Sequence, residues 1–485
     1  MKRHKALISI LLVASILRFI GIYPGYNQFH PDEQMSYATA AAMVLEKTLI
    51  PQDAYAVKFA YPYLVPLINY FFFQGVFVPV MWLGYFTQNI VRIVDVLVQL
   101  PLNANDAARI LRMDILGYRY MYSIFWSRIV TAFFGVGNVF ILYKIGKLVY
   151  TKQAGLIAAL LMTFNFRQVS NSHIALPDIY NSFFLLLSIY STLLLYKRPT
   201  GKRYLQAGLA AAIAFNVKFQ FFAFFPFAVT HLLIAFDSRA HVLKRLVHRR
   251  VVVACLLTPL ITLVVNPFHF VNLEETLVQV VDVALKYGMG TKQLNLFPFW
   301  YMYTIDLGAP LFIFAFLGMI YTIKIRARYS IILTSLVLFQ CFIFFYYSTG
   351  GFHIRNIIPI TPTLIIFAAI LLDSIRTKVP LLLFIPVLVA VLYTPARNSI
   401  INTYYSTKPW NFSLLTDWLN NNPLDGPMAS NPTDPPTGTP PIVRTDFNLS
   451  THYSMAEHKE SGASYALINT DWYGNDFYSW MVHHP

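Results

Sequence analysis

The sequence predicts an all-α polytopic membrane protein of about eleven transmembrane helices, with outer-face amphipathic helices and a small α/β or mixed domain at its C-terminal end. Three observations predict it. Of 485 residues, 56% are hydrophobic and only 12% are charged, with a mean hydropathy of +0.52, whereas soluble domains carry about 25% charged residues. Charge-poor runs of about 15–20 residues recur, close to the length that crosses a bilayer as a helix. The loops between those runs alternate in basic content, as the positive-inside rule requires.

The composition excludes a soluble enzyme with an ordinary surface. With 16% aromatic residues it also excludes a disordered chain. Lys plus Arg is 37 and Asp plus Glu is 22, a net charge of +15. In a membrane protein that excess reads as cytoplasmic-loop charge, and no nucleic-acid partner is expected. Cys255 and Cys341 both lie in apolar runs, so neither a structural disulfide nor a cysteine metal site is expected.

Lys2, Arg3 and Lys5 precede the apolar run 6–17, and Arg18 and Gly21-Ile22-Tyr23-Pro24 follow it. No small-x-small cleavage site is present, so the run reads as an uncleaved first helix with its N-terminus inside. Further spans are expected near 126–149, 154–170, 179–196, 204–217, 219–236, 251–267, 307–323, 329–347, 356–373 and 380–395. The inner loops would then hold Lys144, Lys147 and Lys152, then Lys197, Arg198, Lys202 and Arg203. Next come Arg239, Lys244, Arg245, Arg249 and Arg250, then Lys324, Arg326 and Arg328, then Arg376 and Lys378. Every predicted inner loop is basic. Residues 204–236 are interrupted only by Lys218. Read as one helix they would reverse all later loops, so two short spans with Lys218 at the outer turn are preferred.

The domains expected are a membrane domain, 1–395, and a small outer domain, 396–485, with a Pro-rich stretch at 431–441. The first outer loop, 24–125, is long. Its apolar stretch 61–86 reads either as an extra span or as helices on the outer face, and the charge alternation favours the second. Residues 268–306, with Glu274, Glu275, Asp282 and Lys286, look like another surface helix. No internal repeat is evident, which disfavours transporters built from duplicated halves.

Acids are few, and two stand at the outer ends of spans. Asp32 and Glu33 follow His30-Pro31, and Asp178 follows Pro177 in Ser172-His173-Ile174-Ala175-Leu176-Pro177. Each is a reasonable helix start by itself. Together, in a charge-poor chain, they point to a site. Cations accompany them. Lys218 lies between two apolar half-spans, Arg355 at the outer entrance of the tenth span near His353, and Arg128 at the start of the second. Snorkelling to headgroups is the alternative for each, most readily for Arg128. Carboxylates and cations at the outer membrane face suit a lipid-linked phosphate beside a reactive hydroxyl.

At this point the sequence resembles the GT-C superfamily of glycosyltransferases that take a sugar from a polyprenyl phosphate, over residues 1–395. It is most similar to the branch of dolichyl-phosphate-mannose–protein mannosyltransferases and aminoarabinose transferases. The shared pattern runs from Arg18 to Asp32-Glu33 and Tyr37, then Phe59-Ala60-Tyr61-Pro62-Tyr63-Leu64 and Ser127-Arg128. It continues through Leu142-Tyr143-Lys144-Ile145-Gly146-Lys147 and Gly155-Leu156-Ile157-Ala158-Ala159. Asp178, Val217-Lys218-Phe219 and Arg355-Asn356-Ile357-Ile358-Pro359 complete it. Asn356 replaces the family's usual Tyr, and an insertion at about 86–120 is longer than the family pattern leads one to expect. Trp418-Leu419-Asn420-Asn421-Asn422-Pro423 and Ala463-Ser464-Tyr465-Ala466-Leu467-Ile468 look like the outer domain of prokaryotic relatives.

The resemblance implies an integral membrane glycosyltransferase, multi-pass in the plasma membrane of a prokaryote, active on the outer face and inverting. Its partners would be a polyprenyl-phosphate-linked sugar, a hydroxyl acceptor on protein, lipid or glycan, and membrane lipid. A phosphate leaving group needs charge neutralisation more than protonation, whereas the acceptor hydroxyl profits from a general base. Asp32 is assigned as that base. Glu33 would orient the acceptor or brace the loop, and Asp178 would position the acceptor. Lys218 and Arg355 are the phosphate-binding candidates, with Arg128, His173 and His353 as helpers. Metal use stays open: Asp32 and Asp178 offer hard oxygen ligands for Mg²⁺ or Mn²⁺. The other readings are a transporter or flippase of a lipid-linked or anionic substrate, whose charges would lie nearer the bilayer midplane, and an outer-face ligase or polymerase.

Overall fold

The computed structural model describes residues 2–22, 31–49, 60–80, 83, 120–237, 246–286, 290, 292–347 and 354–408, and three two-residue strands beyond them. The insertion at 86–120 (save Tyr120), His353 and nearly all of the C-terminal segment from 409 lie outside these residues. The chain divides into two compact units, 1–408 and 409–485. Of the second, β1 (Met428–Ala429), β2 (Ile442–Val443) and β3 (Tyr465–Ala466) are described, all parallel, in the order β2-β1-β3.

The first unit is helical. Its helices are α1 (Lys2–Phe19), α2 (Gln34–Glu46), α3 (Leu64–Phe72), α4 (Tyr120–Val149), α5 (Lys152–Thr163), α6 (Phe166–Ser172), α7 (Pro177–Lys197) and α8 (Gly201–Lys218). They continue as α9 (Phe225–Phe236), α10 (Arg249–Val265), α11 (Pro267–Val271), α12 (Leu273–Lys286), α13 (Phe297–Tyr301), α14 (Gly308–Phe342), α15 (Thr361–Arg376) and α16 (Leu381–Ser406). Stretches within α4, α7, α14 (extended to Tyr347) and α16 are long and apolar enough to cross a membrane by length and composition alone.

Helix boundaries follow local chemistry. The predicted span 154–170 is instead two helices. Asn165 ends α5's run and caps α6, its side chain accepting from Gln168 N at 3.1 Å. Between 204 and 236 the chain breaks where Lys218 marked a turn: Phe219 takes φ 51°, the left-handed conformation that ends α8. Between 323 and 329, where an inner loop is expected, two helical arms meet at a kink. The element α14 is divided there by Arg326, whose backbone is non-helical (φ −144°, ψ 48°), since one residue is enough to re-aim a helix. Helix α16 continues to Ser406, past the expected end at 395, and carries Pro386 and Pro395 within it.

Packing supports these placements. Helices α4 and α5 meet where Gly146 and Gly155 face each other; a Cβ on Gly146 would lie 2.9 Å from Gly155 Cα. Only glycine allows that approach. Helix α3 and the wide turn Phe73–Phe77 pack on α2 and α4 through Tyr37, Phe73, Phe77 and Ile124. Leu273, Leu277, Val278, Val281 and Leu285 of α12 are exposed at helical spacing. This arrangement identifies an integral, multi-pass membrane protein, and the residues of interest gather at one end of its helices.

Candidate active site

The turn Pro31–Glu33 begins the site. Glu33 is fully buried. Arg128 Nε donates to its Oε1 and Nη2 to its Oε2, each at 2.8 Å, a bidentate pair with no exposure on either side. Ala175 N also donates to Oε1, at 2.7 Å, and Arg128 Nη1 donates to Ile22 O at 3.3 Å. Glu33 and Arg128 are thus a clamp joining the first loop, α4 and the loop before α7.

Asp32, one residue earlier, is partly exposed and accepts from Arg355 Nη2 at 2.7 Å. Asp178 stands in the first turn of α7 behind Pro177. Its Oδ1 accepts from Lys218 Nζ at 2.5 Å, while its Oδ2 is buried without a hydrogen-bond partner among the described residues. The side chains of Lys218 and Asp178 are 14% and 3% exposed, so this pair is largely shielded from screening. Glu33 holds Ala175, three residues before Asp178, and so brings both pairs to one end of the bundle.

His173 is buried. Its Nε2 lies 2.8 Å from Leu17 O, and Asn402 Nδ2 lies 3.3 Å from its Nδ1. Burial pushes its pKa down to about 4, and Arg18 and Arg128 push the same way. His173 is therefore neutral and structural here. The folded pKa lies below the ordinary 6.5, so its contribution is complete above pH 6.5 and is lost as pH falls toward 4. Wild-type unfolding free energy should fall by about 1–3 kcal/mol more than that of His173→Gln over that window. Thermal unfolding in detergent between pH 7.5 and 4.5 checks this; parallel curves would reject it. Arg18 donates to Ala14 O, Met162 O and Thr163 O, neutralising the end of α5.

The sequence reading missed a supporting layer. Asn181, one turn beyond Asp178, donates to Gln220 Oε1 at 2.8 Å and so grips the chain on the far side of Phe219. The Phe219 ring meets His269 edge-on at 5.5 Å, and His269 meets Tyr63 at 5.6 Å. Asn266 Oδ1 accepts from Tyr63 N, and its Nδ2 donates to Asn216 Oδ1, both at 2.7 Å. Asn266-Pro267 at the end of an apolar run was the available signal.

Among the described residues no group of three His, Cys, Asp or Glu side chains comes together. A divalent ion on Asp32 would compete with Arg355, and one on Asp178 with Lys218 unless it used the unpartnered Oδ2.

Residues 119–264 match the family model described as dolichyl-phosphate-mannose-protein mannosyltransferase, a match that runs from α4 to α10. Among solved structures, ArnT from Cupriavidus metallidurans in the apo state is similar at 10% identity and TM-score 0.52, over 88% of this chain and 82% of that one. The chain shares its fold with this structure. The archaeal oligosaccharyltransferase AglB from Archaeoglobus fulgidus, in complex with an inhibitory peptide and a dolichol-phosphate, is similar at 13% identity and TM-score 0.51. That likeness covers 88% of this chain and 58% of AglB. The apo form of the same organism's oligosaccharyltransferase gives 14% identity and TM-score 0.50, over 87% and 58%. The chain thus spans less than two thirds of the length of these oligosaccharyltransferases. A comparison with curated protein sequences returns no match.

Proposed function

We propose that the chain transfers a sugar from a polyprenyl phosphate to an acceptor hydroxyl, with inversion, on the outer face of a prokaryotic plasma membrane. One observation carries this reading: each of two outer-end carboxylates, Asp32 and Asp178, is paired with a cation suited to a phosphate, Arg355 and Lys218. The pairs keep the site neutral before the donor binds. A donor phosphate can replace the carboxylates as partner of the two cations, which frees Asp32 at the moment a base is needed. The acceptor oxygen then attacks C1 and passes its proton to Asp32. The C1–O bond breaks, and its electron pair leaves with the polyprenyl phosphate, held by Arg355 and Lys218. Asp178 positions the acceptor, and Glu33 with Arg128 braces the loop that carries Asp32. His173 supports from the side, and His353 stays a helper for the phosphate. The dolichol-phosphate in the AglB complex supports the donor class. Nothing in the structure favours a transporter.

The test is sugar transfer from a polyprenyl-phosphate donor by the purified chain in detergent, with and without chelator. Absence of transfer across a panel of donors and acceptors would reject the reading. Lys218→Ala and Arg355→Ala should each weaken donor use about ten- to a hundredfold, the worth of a charge-assisted partner of about 1.5–3 kcal/mol. Donor titration measures this; wild-type kinetics in both variants would place the phosphate elsewhere.

The same proposal includes a topology of about eleven crossings, with the two arms of α14 counted separately. The N-terminus would lie inside and residues 396–485 would contribute an outer domain. A cysteine engineered at Ser461 should react with an impermeant reagent in intact cells; protection would overturn this topology.

A further inference from the structure

We propose that the starts of α8 and α10, at the end of the bundle opposite the acid pairs, form a binding site for one anionic phospholipid. The cations there are assembled by the fold rather than merely adjacent in sequence. Thr200 caps α8 by accepting from Arg203 N at 3.4 Å, and His248 caps α10 by accepting from Arg250 N at 3.1 Å. The Arg250 guanidinium then reaches across to Pro199 O at 3.1 Å and ties the two helix starts together. Lys197, Arg198, Lys202, Arg203, Arg249 and Arg250 are thereby gathered at one place. All but the partly buried Arg203 are exposed.

Among the described residues none of these six pairs with an acid, and the first turns of α8 and α10 contain none. Two other cations of the same side are matched: Arg328 with Asp237 at 2.5 Å and Arg376 with Asp373 at 2.9 Å. Helix starts favour anions, so cations placed on two neighbouring starts repel both the helix dipoles and one another. A phosphate diester between them relieves both repulsions.

The surface beyond the cations fits the rest of a lipid. Helices α8 and α10 touch closely at Gly208, where an added Cβ would lie 2.7 Å from Ala254 Cβ. Leu205 and Leu209 on α8, and Val252, Val253, Leu256 and Leu260 on α10, are exposed and lead away from the cations. A headgroup cradle continuous with two aliphatic faces matches a phospholipid and its two acyl chains. It does not match a soluble anion, which would use the cations alone, or an acidic protein, which would leave the aliphatic faces bare. The topology proposed above only names the leaflet; the site itself stands on these residues.

The experiment is native mass spectrometry of the full chain in detergent with phosphatidylglycerol or phosphatidylcholine added. The wild type should retain one phosphatidylglycerol in preference to phosphatidylcholine. Lys202→Gln/Arg249→Gln, both exposed, should lower that occupancy roughly ten- to thirtyfold, since each surface cation contributes about fivefold toward an anionic lipid. The charge-matched control Lys324→Gln/Lys378→Gln should leave it unchanged. Equal loss in both double variants would show a diffuse positive surface and overturn the site. So would millimolar inorganic phosphate competing as well as the lipid. Arg249→Gln alone, with an expected loss of about fivefold, replaces the double variant if that one does not fold.

Discussion

Asp32→Asn should lower single-turnover sugar transfer by about 10²–10⁴-fold while the protein still folds. Asparagine keeps the shape of the side chain but cannot accept a proton, and it also gives up the ion pair with Arg355. The two losses act in opposite directions on the donor. Without its carboxylate partner Arg355 is more available to the phosphate, so donor binding should hold or tighten while the chemical step collapses. A helix-start role predicts neither result, because asparagine is as good a cap as aspartate. Donor affinity and single-turnover rate, measured on the same preparation, separate the cases. A near-normal rate would remove Asp32 from the mechanism and make Asp178 the next candidate base.

Arg128→Met should be the most damaging substitution for the fold. It leaves Glu33 buried without its bidentate partner, and breaking a buried pair by removing one member costs about 3–5 kcal/mol. Glu33→Gln should cost less, since glutamine can still accept from Ala175 N. The double variant should recover part of the loss, because no charge is left stranded. Thermal unfolding of the three variants in detergent gives the cycle. An Arg128→Met protein within about 1 kcal/mol of wild type would show that the clamp contributes little.

The charge pattern made much of this architecture legible. Lys218 between two apolar runs marked a helix end, and α8 stops there. The break at Arg326 likewise falls in the basic stretch 324–328. Asp32, Glu33 and Asp178 also stand out by eye in so apolar a chain, and the structure gives each a cationic partner. Their division of labour was not legible. Glu33 reads from the sequence as orienting the acceptor or bracing the loop, and Arg128 as a phosphate helper or a snorkelling cation; their buried pairing lies across 95 residues. Local sequence carries no signal for which carboxylate meets which guanidinium across such a separation. The same holds for Asn266 and His269, whose partners lie more than 200 residues away, in the Tyr61–Tyr63 segment. The span expected at 380–395 runs on to Ser406, with Pro395 inside the helix.

The hydrogen bond from Ala175 to Glu33 carries one more consequence. Asp32 is joined through Glu33 to the 175–178 segment, that segment ends in Asp178, and Asp178 grips Lys218. The two flanks of the site are therefore geared to each other. A shift of the 31–33 turn by an arriving acceptor would tug on Lys218 through three links, and a phosphate drawing Lys218 away would slacken the same train. Under the proposed function, occupation of one flank would therefore be felt at the other.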